Sequence, residues 1–329
     1  MKGAARIGFL LATIIGLGVA AWTIGAVGAR QVFESMATVG WIGMLVFTAW
    51  SVGVLGLLGA AWFVVAPGER VGRLPLFIWA RTTREAATDV LPFSQLGGLV
   101  VGARTLTAKR VPMPIVYASM IADMTTELAA QLLFTLAGVA VLLSVLADLP
   151  MRTNVVPLAL TGVGGMGAIV AVLAFAQRPM LRIAGELATR FLPGSISALA
   201  AVRTQLDAIY REPRRVIAAF AFNLLAWIAS AVGAWIALSF MGVSAPLWAI
   251  VTLEALIFTL RSVAFFIPGA IGVQEAAYAL IGPLFGLPPT TALAISLLKR
   301  ARDLVIGIPA LIVWQFGETV SVTAADQRA

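Results

Sequence analysis

The sequence predicts an all-α polytopic membrane protein, and three observations carry that expectation. Hydrophobic residues fill 60% of the 329 positions and charged residues only 12%, against roughly 45–50% and about 25% in soluble domains. The mean hydropathy is +0.98, so too few polar side chains exist to coat a water-soluble globule of this length. The apolar residues also come in blocks of about twenty or more, the length of a bilayer crossing. Any function therefore sits in or against the bilayer.

Seven stretches read as spans, at about 7–27, 41–66, 114–147, 155–176, 216–241, 246–265 and 290–316. The first follows Lys2 and Arg6 and is longer than a typical signal-peptide core, so it reads as a retained helix. Two further apolar segments, 91–106 and 266–286, are broken by Pro and Gly and read as re-entrant. The chain divides into a first transmembrane half (1–150), a connecting span with cytoplasmic helices (151–214) and a second transmembrane half (215–329).

Arginines set the orientation. The 67–90 connection holds Arg70, Arg73, Arg81 and Arg84, and the segment 177–215 holds seven more. The alternate connections are poor: Arg30 is offset by Glu34, Arg152 by Asp148, and 242–245 is uncharged. The positive-inside rule then puts the N-terminus and both arginine-rich loops in the cytoplasm. The same arginines account for the net charge of +8 without invoking nucleic acid. Within the long loop, Arg182, Glu186 and Arg190 oppose Leu181, Leu187 and Phe191. After Pro193-Gly194, Arg203, Asp207 and Arg211 oppose Leu199, Val202, Leu206 and Ile209. That pattern predicts two amphipathic helices lying on the membrane surface.

The broken segments share a pattern. Pro92 is followed by Gly97-Gly98, Pro112, and then Asp123 and Glu127. Pro268 is followed by Gly269 and Gly272, Pro289, and then Lys299, Arg300, Arg302 and Asp303. The spacings between prolines are 20 and 21 (112 − 92 and 289 − 268), which suggests a twofold internal repeat. Gly98-x-x-x-Gly102 and Gly282-x-x-x-Gly286 supply small-residue packing faces. A helix broken inside the bilayer leaves backbone groups that survive only against protein or a wet cavity. Two such breaks point to a substrate site between the halves.

Absence of Cys and His excludes thiol nucleophiles, disulfides, Ser-His-Asp relays and His/Cys metal sites. No catalytic residue, metal or cofactor is expected. What remains is charge within apolar spans, which costs roughly 2.5–3.5 kcal/mol per residue at a helix centre. Asp123 and Glu127 share one helical face, and pairing with Arg300 or Arg302 is the expectation for them. Glu254 and Arg261 share another face. The cluster from Lys299 to Asp303 either interrupts the last span or marks a membrane boundary that splits it. Glu275 follows the Pro/Gly break with no basic residue in local reach.

The run Pro268-Gly269-Ala270-Ile271-Gly272-Val273-Gln274-Glu275 resembles the Pro-Gly-Gly-hydrophobic-Gly-x-x-Glu signature of the flippase-like membrane region of lysylphosphatidylglycerol synthases and their stand-alone relatives. Ala270 stands where that family usually has a second glycine. Glu254, Arg261 and the stretch from Pro92 through Gly97-Gly98 to Arg104 look similar too, and the resemblance covers about 8–316. Length, hydropathy and the run Leu297–Asp303 look closest to the hopanoid-biosynthesis-associated members of Gram-negative bacteria. The resemblance implies handling of a hopanoid or other polar lipid, without the soluble aminoacyl-transferase domain, in a bacterial inner membrane.

Three functions compete. In a lipid translocator, the headgroup binds between Gln95, Gly97, Gly98, Arg104, Asp123 and Glu127 on one side and Glu254, Arg261, Pro268, Gly269, Gly272, Gln274 and Glu275 on the other, with Arg300, Arg302 and Asp303 beside them. Its partners are membrane lipids, hopanoid or phospholipid. An intramembrane lipid-modifying enzyme would use Asp123 and Glu127. A scaffold would recruit other lipid-synthesis proteins through 177–215. The translocator is the leading expectation.

Overall fold

The computed structural model describes residues 18–90, 94–145, 164, 196–263 and 270–326. The expected span 155–176 apart from residue 164, the amphipathic segment around 182–190, and Pro92, Pro268 and Gly269 lie outside these residues. All regular elements among the described residues are helices. They are α1 (Gly18–Val27), α2 (Ala29–Ala37), α3 (Gly40–Val64), α4 (Leu74–Val90), α5 (Ser94–Thr107), α6 (Met113–Val145), α7 (Ile196–Tyr210), α8 (Pro213–Phe240), α9 (Leu247–Val263), α10 (Val273–Ile281) and α11 (Pro289–Asp326). Short 3₁₀ turns precede α4 and follow α10.

Three described helices are long and apolar enough to cross a membrane: Gly40–Val64, Met113–Ser144 and Pro213–Phe240. Their outward faces are apolar. Trp41 is 77% exposed, as are Leu45, Leu133, Ile217 and Leu225 in large part, and α11 adds Val305, Ile308 and Val313. Conversely, Arg81, Asp123, Glu254 and Lys299 are buried. An exterior this apolar around an ionic interior suits lipid and would aggregate in water. The protein is membrane-embedded.

Two large cores divide the described helices, with a smaller cluster of Phe134, Ala231, Ala255 and Phe258 where α6, α8 and α9 meet. One joins the end of α3, the start of α4, the end of α5, the start of α6, α7 and Ala219 of α8, through Trp62, Phe77, Leu106, Val116 and Leu206. The other joins α2, the start of α3, the ends of α6 and α8, and α9, α10 and α11, through Phe47, Leu142, Leu238, Ile257 and Leu293. The amphipathic pattern over 196–210 does form a helix. Its apolar face (Val202, Leu206, Ile209) is packed into the first core against α6, so α7 is part of the bundle rather than a helix lying on the bilayer surface.

Two expectations about connections are corrected. The 67–90 stretch is mostly helix, and Arg81 and Arg84 on α4 are buried rather than loop residues. The last apolar stretch is one helix of 38 residues that carries Lys299–Asp303 and Pro309 without interruption. It does not split at the charges.

The element order helix, break, shorter helix, proline, long helix occurs twice, as α4–α5–α6 and α9–α10–α11. The two triplets interdigitate: α4 packs on α11, and α9 packs on α6. Both of these contacts include a tightly packed glycine. A Cβ on Gly307 would fall 2.8 Å from Val90, and one on Gly138 2.6 Å from Ala255. Within the first half, α4 and α5 form an antiparallel hairpin along the Gly98-x-x-x-Gly102 face. A Cβ on Gly98 would lie 2.1 Å from Thr88 Oγ1 and 2.7 Å from the Arg84 carbonyl.

Candidate functional site

Side chains on α4 and α6 form the first buried charge cluster. Arg81 and Arg84 are one turn apart on α4, and Asp123 and Glu127 one turn apart on α6. Arg81 donates to Asp123 Oδ2 at 2.8 Å and to Glu127 Oε1, and Arg84 reaches Asp123 Oδ2 at 3.2 Å and Glu127 Oε2 at 3.5 Å. Glu85 sits 3.0 Å from Arg81 Nε. Forked guanidiniums suit such paired carboxylates because each offers donors in one plane. The partners expected for Asp123 and Glu127 were Arg300 and Arg302. The α4 arginines occupy both carboxylates instead.

A second cluster joins α9, α10 and α11. Lys299 donates to Glu254 Oε2 at 2.5 Å and to the Tyr278 hydroxyl at 3.0 Å, and that hydroxyl donates to Glu254 Oε1. Lys299 also lies 4.9 Å from the Phe258 ring centroid. All three polar side chains are sealed from the surface, with 2% of Lys299 and 1% of Glu254 exposed.

Glu275 has partners too. Its carboxylate accepts the Gly272 N–H at 2.7 Å, closing the start of α10, and lies 3.2 Å from Arg300 Nε. An acid in the first turn complements the helix dipole, so Glu275 holds the start of α10 in place. Gln274 donates to Ser296 Oγ at 2.9 Å, pinning α10 to α11. Gly272 has φ 83°, and Ala270 two residues before it has φ 49°. The glycine that the signature usually carries at Ala270 is thus the residue this backbone favours.

Between the two clusters runs a looser seam. Asp89, at the far end of the α4 face that carries Arg81 and Glu85, lies 3.9 Å from Arg261 of α9, and both side chains are 22% exposed. Arg302 is bonded to its neighbour Asp303, reaches Ser51 Oγ at 3.3 Å, and stacks over Phe47. This is where charged groups of the two halves meet.

Of the other residues singled out from sequence, Gly97 is half-buried in α5 and Arg104 is exposed near its end. Gln95 lies in α5, and its side chain is outside the described residues. Sequence reasoning did not single out Arg81, Arg84, Glu85, Asp89, Tyr278 or Asn223 as site residues. A signal for the first four was present: positions 81, 84, 85, 88 and 89 fall on one helical face, the opposite of a solvated loop.

The chain matches the lysylphosphatidylglycerol synthase transmembrane region over residues 9–310. It belongs to that family. No curated protein and no solved structure matches the chain. Membership makes this a membrane protein concerned with lipid, and the family region spans both charge clusters and the seam between them.

Proposed function

We propose that the protein translocates a polar membrane lipid, and that the lipid headgroup passes along the charged seam between the halves. The observation that carries this reading is the graded pairing of buried charge. Glu254–Tyr278–Lys299 is sealed and short, whereas Asp89–Arg261 is long and 22% exposed on each side, and Glu127 and Glu85 are 15% and 29% exposed. A headgroup bearing phosphate and hydroxyls can exchange with loosely held arginines and carboxylates at little cost, because each ionic partner is replaced rather than lost.

In this reading the protein is a transporter rather than an enzyme, with about seven spans and the two broken segments entering the bilayer without crossing it. It sits in a bacterial inner membrane with its N-terminus cytoplasmic. The exposed Arg70, Arg104, Lys109, Arg110, Arg211 and Arg214 flank the first core, and this concentration of basic residues supports a cytoplasmic placement of that end. The cargo is a hopanoid-linked or other polar lipid, as the resemblance of 265–275 and 297–303 suggests. A lipid-modifying enzyme using Asp123 and Glu127 is the weaker reading, since Arg81 and Arg84 already neutralise both carboxylates that a metal or a proton transfer would need.

The test is translocation in reconstituted vesicles. Headgroup-labelled phosphatidylglycerol and an impermeant quencher report lipid moving between leaflets. Wild type is expected to move it faster than empty vesicles, and Arg261→Gln to slow it several-fold. Wild-type vesicles no faster than empty ones for phosphatidylglycerol, and for a hopanoid-linked lipid likewise, would overturn the reading.

A further inference from the structure

The outer surface where α6 meets the α7–α8 junction holds a cleft of about 250 Å³, lined by Thr125, Thr126, Ala129, Val216, Ile217 and Phe220. Ile217 is 65% exposed, and Leu225 and Ile228 continue the same outward stripe of α8, so the cleft opens toward lipid. Arg211 and Arg214 are exposed just before the cleft residues of α8, while Arg215, next to Val216, is paired with Glu212 at 2.6 Å, which leaves net positive charge beside the cleft. At 1.5 Å per residue, Phe220 lies about 9 Å deeper along α8 than Arg214, the relation of an acyl chain to the phosphate above it.

The cleft is backed by unsatisfied acceptors. Thr126 Oγ1, on its wall, accepts from Asn223 Nδ2 at 3.1 Å. Thr126 Oγ1 in turn donates to the Asp123 backbone carbonyl at 2.9 Å, and Asn223 and Asp123 are both fully buried. Asn223 Oδ1 and Asp123 Oδ1 have no hydrogen-bond partner among the described residues. Buried acceptors left open are costly and favour a donor. One wall thus separates a lipid-facing cleft from the first charge cluster, and two open acceptors stand behind that wall.

We propose that this cleft seats one anionic phospholipid from the leaflet at the basic end. Its acyl chain lies against Ala129, Ile217 and Phe220, and its phosphate is held by Arg211 and Arg214. The Thr126–Asn223–Asp123 wall is then the gate through which a hydroxyl- or amine-bearing headgroup reaches Arg81 and Arg84. The gate rests on the transport reading above; the docking needs only the membrane location.

Photo-crosslinking in phosphatidylcholine vesicles tests the docking. Phosphatidylglycerol carrying a photoactivatable acyl chain is compared with phosphatidylcholine carrying the same label, and adducts are mapped by mass spectrometry. Wild type should give several-fold more adduct at Ile217 and Phe220 from the anionic lipid. The double variant Arg211→Gln/Arg214→Gln should erase that preference, and Ala129→Trp, which fills the cleft, should lower adduct from both lipids. Equal labelling by the two lipids in wild type, or adducts spread evenly over the exposed residues of α3, α8 and α11, would overturn the site. Preference without translocation in the vesicle assay would remove the transport reading and leave the site. Translocation without preference would do the reverse.

Discussion

The two halves solve the same problem with opposite polarity. In α4–α5–α6 the long helix carries the carboxylates, Asp123 and Glu127, and the leading helix carries Arg81 and Arg84. In α9–α10–α11 the long helix carries Lys299 and the leading helix carries Glu254. The first cluster has two forked cations, several partners per carboxylate and a partly exposed margin. The second has one point charge, one carboxylate and a tyrosine, all sealed. The difference separates two uses of buried charge. A sealed pair holds helices in register, because either charge alone is intolerable in the bilayer interior. A forked, partly exposed network can swap one partner for another without leaving a charge bare.

The largest expected effect comes from breaking the sealed pair. Lys299→Met leaves Glu254 buried without its cation and should destabilise the protein by about 3–5 kcal/mol, read as thermal unfolding in detergent. Glu254→Gln/Lys299→Met should recover most of that loss. If the double variant is no better than the single, the pair does not act as a unit.

Next comes the forked network. Arg84→Gln removes the longer of the two arginine grips, at 3.2 and 3.5 Å, while Arg81 stays. The expected loss is roughly 1.5–3 kcal/mol, smaller than for Lys299 because the carboxylates keep a cation. A loss equal to that of Lys299→Met would mean that the first cluster is as rigid as the second.

The hairpin under that network is tested by Gly98→Ala. The added methyl meets the Arg84 carbonyl and Thr88, so the α4–α5 contact must part, at a cost of about 1–3 kcal/mol. Unchanged unfolding of this variant would argue against the close approach of the two helices. The smallest effect is a gain. Ala270→Gly relieves a left-handed backbone worth roughly 1–2 kcal/mol against a glycine entropy cost of about 0.4–1 kcal/mol. A stabilisation of up to about 1.5 kcal/mol should appear in the same unfolding measurement. A destabilised variant would show that Ala270 does not hold that conformation.

The helical membrane class was legible because composition and block length depend only on residue type. The order of a shorter helix and then a long one, α5–α6 and α10–α11, also accords with the Pro and Gly spacing read from sequence. The partners of the charges were not legible. Asp123 finds Arg81, 42 positions earlier, only because α4 is a helix inside the bundle, and a short polar stretch between two apolar blocks reads as a loop. Glu275 looked unpaired because Arg300 reaches it across the α10–α11 turn rather than along the chain. Likewise α7 has a surface-like amphipathic pattern, but its apolar face is covered by α6 and not by lipid.

The most direct measurement compares translocation rates of two charge-neutralised double variants in the same vesicles, after detergent unfolding has established that both are folded. Glu254→Gln/Lys299→Met should move headgroup-labelled lipid within a few-fold of the wild-type rate. Arg84→Gln/Glu127→Gln should be slowed at least tenfold. The reverse order, with the sealed cluster controlling the rate and the forked one indifferent, would contradict the account.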